Sequence, residues 1–308
     1  MMSLEESLIE YLAVRRALGY KLAQTETLLR QFVRFLGEHG EQRITTERAV
    51  AWATLPAGSD IWHYQRLLAV RAFANYLHGT DPTVEVPAAG LLPRRLTRPI
   101  PYLYRDQEVL ALIAAAQALR TPHRAATYQT LIGLLASSGM RIGEAIGLDR
   151  HHFDPGLGVV VVCGKFDKTR ELPLAPSTIK ALCRYLDRRD RPPSATPEPA
   201  LFVSSAGTRL KLDCVESTFA ILRRRAELAP RSANCRPTIH GLRHTFAVQT
   251  MLDAYRDGVD TAARLAVLST YLGHVNPANS FWYLHGAPEL MALAAQQLEH
   301  HLDKEDRR

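Results

Sequence analysis

The sequence predicts a mainly α-helical protein with one small antiparallel β-sheet, built as an N-terminal helical bundle followed by a larger mixed α/β domain. Three observations carry this. Apolar residues recur at helical spacing through most of the chain. The valine run at residues 158–163 is the clearest strand, and residues 170–174 read as its hairpin partner. Between the two regions, Pro87, Gly90, Pro93, Pro99 and Pro101 alternate with Arg94, Arg95 and Arg98, the composition of an extended linker. The expected boundaries are 1–86 for the bundle, 87–103 for the basic Pro-rich linker, and 104–308 for the larger domain with its C-terminal helix.

The bundle needs four helices. Residues 4–17 place Leu4, Leu8, Ile9 and Leu12 at helical spacing, and Gly19 breaks the pattern. Residues 25–37 carry Leu28, Leu29, Phe32, Val33 and Leu36 on one stripe. Thr45 and Thr46 are candidate N-caps for a short helix at 47–52, and residues 62–77 form the fourth segment. In the larger domain, helices are expected at 105–118, 125–137, 143–148, 177–189, 214–228, 242–255, 262–271 and 289–301. Residues 200–203 are a candidate third strand, and the Pro-rich stretch 192–199 a loop.

Composition narrows the function classes. The 308 residues are 46% hydrophobic, enough for real cores. No secretory signal and no membrane-spanning apolar stretch is visible, so a cytoplasmic protein is expected. Cys163, Cys183, Cys214 and Cys235 lie far apart without a CxxC pair, which disfavours a disulfide framework and a thiolate metal site. The net charge of +7 suggests an anionic partner such as nucleic acid. The charge is concentrated in arginine clusters: Arg94, Arg95 and Arg98; Arg184, Arg188, Arg189 and Arg191; Arg223, Arg224 and Arg225; Arg231 and Arg236. Arginine suits bidentate phosphate contact, although any one cluster is equally well a solvated face.

Five polar features interrupt apolar surroundings. Arg141 follows a glycine at the end of an apolar helix, with Glu144 three residues on. Gly164-Lys165 follows the valine strand, with Lys168 in the same turn. His240-Gly241-Leu242-Arg243-His244 puts His240 and Arg243 on one helical face. Gly273-His274 is the fourth feature, and Tyr283, between Trp282 and Leu284, is the fifth. Taken singly, each has an ordinary explanation as a surface ion pair, a solvated turn or core packing.

As a set they suit one chemistry. No carboxylate cluster for two-metal phosphoryl transfer is present, nor an HExxH, GxSxG or P-loop pattern. Neither metal ion nor ATP is therefore expected. Two arginines would hold the non-bridging oxygens of a phosphodiester. A histidine would take the proton of the Tyr283 phenol, and a lysine would protonate the leaving 5′-oxygen. The product would be a 3′-phosphotyrosine, which conserves the bond energy for rejoining.

The order and spacing of these motifs resemble the tyrosine recombinases, or phage-type integrases. Arg141 and Glu144 match the G-x-R-x-x-E box, and Lys165 the hairpin lysine. His240, Arg243 and His244 match H-x-L-R-H, Leu272-Gly273-His274 matches LGH, and Tyr283 follows at the expected distance. The resemblance spans both domains. It implies that the bundle is a core-binding domain that closes a clamp on double-stranded DNA. It also implies a catalytic set of Arg141, Lys165, His240, Arg243, His274 and Tyr283, supported by Glu144 and His244. Lys168 competes with Lys165 for the acid role. DNA contacts are expected from Arg94, Arg95, Arg98, Arg231 and Arg236.

The resemblance further implies recombination of two duplexes in a protein tetramer, through a Holliday junction, or in a hetero-assembly with related recombinases. An integrase or transposase of a mobile element, acting on the nucleoid, is the leading expectation. A type IB topoisomerase-like nicking-closing enzyme and a non-catalytic DNA-binding regulator remain open. The stretch between His244 and His274 looks longer than in compact members and includes residues 257–263. The helix at 289–301 carries Leu290, Leu293, Ala294 and Leu298 on one stripe, to be buried in cis or on a neighbouring protomer.

Overall fold

The computed structural model describes residues 3–94, 100–164, 169–193, 199–273 and Ala292. The chain divides into two compact units, Met1–Arg98 and Pro99–Arg308.

Among the described residues the first unit is four helices: α1 (Leu4–Ala17), α2 (Ala23–Glu38), α3 (Thr46–Thr54) and α4 (Asp60–His78). Their starts are set locally. Ser3 and Glu6 form a reciprocal capping box on α1, and the Thr45 hydroxyl accepts the Arg48 N–H at the start of α3. The apolar stripes then meet in one core, in which Leu29, Phe32, Leu36, Val70 and Phe73 are fully buried. Arg66 is buried among them, stacked on Trp52 and donating to the Trp52 carbonyl at 2.8 Å. These contacts offset part of the cost of enclosing the charge, although the buried Nε has no acceptor among the described residues.

The second unit holds α5 (Asp106–Ala116), α6 (Pro122–Ser138), α7 (Ile142–Gly147), α8 (Pro176–Leu186), α9 (Leu212–Arg225), α10 (Ile239–Arg256) and α11 (Thr261–Leu272). A three-stranded antiparallel sheet, ordered β1-β2-β3, follows α7. Its strands are β1 (Phe153–Asp154), β2 (Val159–Cys163) and β3 (Thr169–Pro173), with Val160 opposite Leu172 and Val162 opposite Arg170. Opposed residues share a face, so Val160, Val162, Leu172 and Arg170 all point inward. A second apolar cluster joins α10 to α11 through Val248, Met251, Leu252, Leu268 and Leu272.

One expected strand is corrected. Residues 200–203 make only isolated bridges, Ala200 with Asp149 and Val203 with Arg209, and the third strand of the sheet is β1. The segment is fully buried and hydrogen-bonded to a loop, with the Leu201 N–H on the Leu148 carbonyl at 2.9 Å. A short unbroken apolar run signals burial on all sides, and burial does not require a ladder. Among the described residues no helix is long and apolar enough to cross a membrane.

Candidate active site

The site is assembled where α6 ends, α7 begins, and the first turn of α10 meets the last turn of α11. Gly139 ends α6 in the left-handed region at φ +59°. Any other residue would be strained there, and an added Cβ would meet the Phe246 ring at 2.4 Å. This sharp exit places Arg141 at the N-cap of α7. Its backbone N–H donates to Glu144 Oε2 at 2.9 Å and its Nη1 to Glu144 Oε1 at 2.8 Å. The Arg141 side chain is nevertheless 43% exposed, against 9% for Glu144.

The first turn of α10 is fixed from outside. Thr238 caps it by accepting the Gly241 N–H at 3.2 Å. The Thr245 hydroxyl accepts the Tyr104 N–H at 2.7 Å, and the Tyr104 hydroxyl donates to the Thr238 carbonyl at 2.9 Å. Gly241 lets this segment approach: a Cβ there would lie 2.8 Å from the Tyr102 carbonyl. Arg243 is thereby enclosed, 2% exposed, with Nη1 donating to the Gly139 carbonyl and Nη2 to the Leu272 carbonyl, both at 2.8 Å. It ties the end of α6 to the end of α11.

His240 and His244 stand edge to face with ring centroids 4.6 Å apart. The His240 ring keeps accessible surface but sits in a recess crowded by protein. That loss of hydration, with the positive charges of Arg243 and then Arg141, holds its pKa below the ordinary histidine value. At neutral pH the ring is uncharged and able to accept a proton. Glu144 shows the opposite balance. Burial alone would raise its carboxyl, but Arg170 and the Arg141 N–H outweigh burial and hold it below the usual range.

Arg170 was not singled out by the motifs. It donates through Nη2 to Glu144 Oε2 at 2.8 Å and through Nε to the Tyr271 carbonyl at 3.0 Å. A signal was present in the sequence. Arg170 alternates with Leu172 on the strand, so it occupies an inward position, where a charge requires a partner.

Arg141, Glu144, His240, Arg243 and His244 are thus placed around one locus. Lys165, Lys168, His274, Tyr283, Arg95 and Arg98, and the expected helix at 289–301 apart from Ala292, lie outside the described residues. The remaining basic residues divide. Arg94 is exposed, with its guanidinium 5.7 Å from the Tyr64 ring, and Arg236 is exposed with Nε on the Ala233 carbonyl. Arg231 lies over Tyr102 and pairs with Glu108 at 3.1 Å, so much of its charge is already engaged. Arg188 pairs with Asp190, while Arg191, Arg223 and Arg225 brace backbone carbonyls.

Asp149, His151 and His152 bring their ligand atoms within 4.8 Å of one another, and Cys163 Sγ lies 3.9 Å from His152 Nε2. Two of these groups are committed elsewhere. His152 Nδ1 accepts the Asp149 N–H at 3.0 Å, which leaves the proton on Nε2, and Asp149 is paired with Arg209. These bonds make the arrangement a clasp between loop and strand.

In this mainly α fold a buried arginine, an exposed arginine and an uncharged histidine converge, an arrangement suited to an anionic group. Residues 103–289 match the phage integrase family. The chain is 39% identical to a putative integrase/recombinase, y4rB, of Sinorhizobium fredii, over 97% of this chain and 98% of that protein. It is 29% identical to the tyrosine recombinase XerC of Mycobacterium leprae, over 76% of this chain and 75% of that one. Among solved structures, the XerA recombinase is similar at 25% identity, with 96% and 97% of the two chains covered and a TM-score of 0.51. The Tn1549 transposon integrase bound to transposon right-end DNA shares the fold at 16% identity, with 97% and 99% covered and a TM-score of 0.67. The chain belongs to the phage integrase family, the tyrosine recombinases, and is a site-specific DNA recombinase.

Proposed function

We propose that this recombinase cleaves double-stranded DNA with Tyr283, forming a 3′-phosphotyrosine, while Arg141 and Arg243 clamp the scissile phosphate. The observation that carries the reading is the placement of both arginines beside His240, one on its own helical turn and one at the start of α7; the ring's pKa is lowered first by desolvation and then by these two charges. A phosphate entering there would offset the two positive charges and return His240 toward its ordinary basicity. The histidine would thus gain proton affinity as the substrate arrives, when the phenol proton must be taken. Lys165, or Lys168 on the same turn, protonates the leaving oxygen, and His274 completes the set; no metal ion or ATP takes part.

The bundle at 1–86 and the linker at 87–103 serve as the DNA clamp, with phosphate contacts from Arg94, Arg95, Arg98 and Arg236. Arg231 contributes less, because Glu108 holds it. The similarity to y4rB and to a transposon integrase favours integration or excision of a mobile element in the cytoplasm, on nucleoid DNA. Exchange between two duplexes implies a tetramer or a hetero-assembly in the synapse. An apolar groove of about 880 Å³, lined in part by Leu110, Ile113, Ala136 and Phe246, offers a seat for the stripe of residues 289–301, in cis or in trans.

The test is covalent trapping. The full chain is incubated with a pool of nicked duplexes randomised around the nick, and protein–DNA adducts are recovered and sequenced. The wild type should yield an enriched site, in EDTA as well as in its absence, and Tyr283→Phe should yield no adduct. Adducts formed equally by Tyr283→Phe would sink the reading.

A further inference from the structure

Glu144 is almost enclosed, and its two oxygens accept three hydrogen bonds. Oε1 takes Arg141 Nη1, and Oε2 takes the Arg141 N–H and Arg170 Nη2. This raises a physical difficulty. Under the function proposed above, Arg141 must offer its guanidinium to a phosphate. A buried carboxylate whose only counter-charge was Arg141 would either hold that arginine back or take up a proton once it left.

Arg170 removes the difficulty. It comes from β3, not from α7, and its side chain is 17% exposed where Arg141 is 43% exposed. Its guanidinium is anchored on the far side as well. Nε donates to the Tyr271 carbonyl at the end of α11, where the helix dipole favours a cation. Gly273, in the left-handed region at φ +67°, lies flat against it: a Cβ there would stand 2.8 Å from Arg170 Nη1. Arg170 therefore has fixed partners on two sides and does not depend on Arg141 for its place.

We infer that Arg170 is a positioning residue for strand cleavage: it holds Glu144 charged and in place through Oε2, the oxygen that the Arg141 guanidinium does not use, so that Arg141 is oriented by the carboxylate and still able to exchange it for phosphate. A lysine could keep the charge but could not reach both Glu144 and the Tyr271 carbonyl, because it lacks the planar fork. The inference rests on the reading that Arg141 binds the scissile phosphate.

The test uses the full chain and the duplex enriched by covalent trapping. Adduct formation in single turnover, DNA affinity by gel shift, and thermal melting are measured between mildly acidic and mildly basic pH. The proteins are the wild type, Arg170→Lys, Arg170→Gln, Glu144→Gln and the Glu144→Gln/Arg170→Gln pair. Arg170→Gln should slow adduct formation by about 10- to 100-fold, the effect of losing one charged hydrogen bond, with affinity unchanged.

The deficit should widen as pH falls, because without Arg170 burial pushes the Glu144 carboxyl up toward protonation. Among the described residues, the other charged or titratable groups at this locus are Arg141, His240, Arg243 and His244, with the Tyr271 phenol behind Arg170. Burial pushes Tyr271 up, so it stays neutral throughout, and His240 titrates in both proteins and cancels in the ratio of rates. Arg170→Lys should recover part of the rate and show a flatter ratio.

Cleavage by Arg170→Gln at the wild-type rate, a deficit independent of pH, or loss of DNA binding in step with cleavage would each overturn the inference. If Arg170→Gln does not fold, the pair is decisive, since it removes the enclosed charge. A pair no slower than Glu144→Gln supports action through the carboxylate, and a pair slower again by roughly tenfold or more overturns it. No adduct from the wild type would instead sink the functional reading itself.

Discussion

Arg141 and Arg243 belong to one site and are held in opposite ways. Arg141 sits at a helix start, paired with a single carboxylate and largely open on one side. Arg243 lies inside the domain and spans two backbone carbonyls that belong to different helices. The first can move toward a ligand at little cost. The second cannot move without unpinning α6 from α11. Under the proposed function one arginine is a ligand-binding group, and the other adds to that role a structural one, as a rivet of the fold.

The sharpest way to break this comparison is to remove each in turn. Arg243→Ala should be the more damaging. It orphans two buried carbonyls and leaves a cavity, for about 3 kcal/mol or more of lost stability, and cleavage should be lost as well. Arg141→Ala should reduce adduct formation by roughly 10²- to 10³-fold, as for loss of one transition-state donor. Its melting temperature should stay close to the wild type, because Arg170 still neutralises Glu144. Equal losses of melting temperature in the two variants would refute the distinction.

A middle-sized effect concerns pH. With its pKa depressed, His240 stays neutral as pH falls through the ordinary histidine value of about 6.5, and protonates only below it. The His240 ring of the DNA-free protein, followed by NMR, should therefore titrate below that pH. Removing a neighbouring charge should move this titration upward, more for Arg243→Gln than for Arg141→Gln, following the order in which the two arginines depress the ring. A titration that stays put in both variants would show that the arginines do not set this proton affinity.

The smallest effect is local. Thr238→Ala removes the side-chain cap of α10 and should cost about 1 kcal/mol. That corresponds to roughly 2–4 °C in melting temperature for a unit of this size. Because Tyr104 still holds the turn through the Thr238 carbonyl, cleavage should change little. A large loss of cleavage would make the cap part of the site and not merely of the helix.

Much of this was legible in the chain. Leu29, Phe32 and Leu36 repeat at helical spacing, and they are core residues of α2. Thr45 reads as a cap and is one. Arg141, Glu144, His240 and Arg243 are named by short motifs because each motif is a local geometry: a helix start after a glycine turn, and one face of one helical turn. Arg170 had no motif, because its partners come from α7 and α11, far away in sequence. Arg231 reads as a DNA contact, and its pairing with Glu108 on α5 was not legible because that partner is far away in sequence. Residues 200–203 looked like a strand because apolar runs report burial and not hydrogen-bond partners.

By itself, then, the sequence determined the described helices, the paired strands and the motif residues Arg141, Glu144, His240 and Arg243 that meet at one locus, since caps, turns and periodicity act over a few residues. Which arginine carries the fold, which stays open to a ligand, and which third arginine stands behind the shared carboxylate were decided only by tertiary structure. The physical reason is that an arginine's role depends on its burial and on the acceptors around it. Those acceptors are backbone carbonyls and a carboxylate brought together from separate elements by the packing of the core.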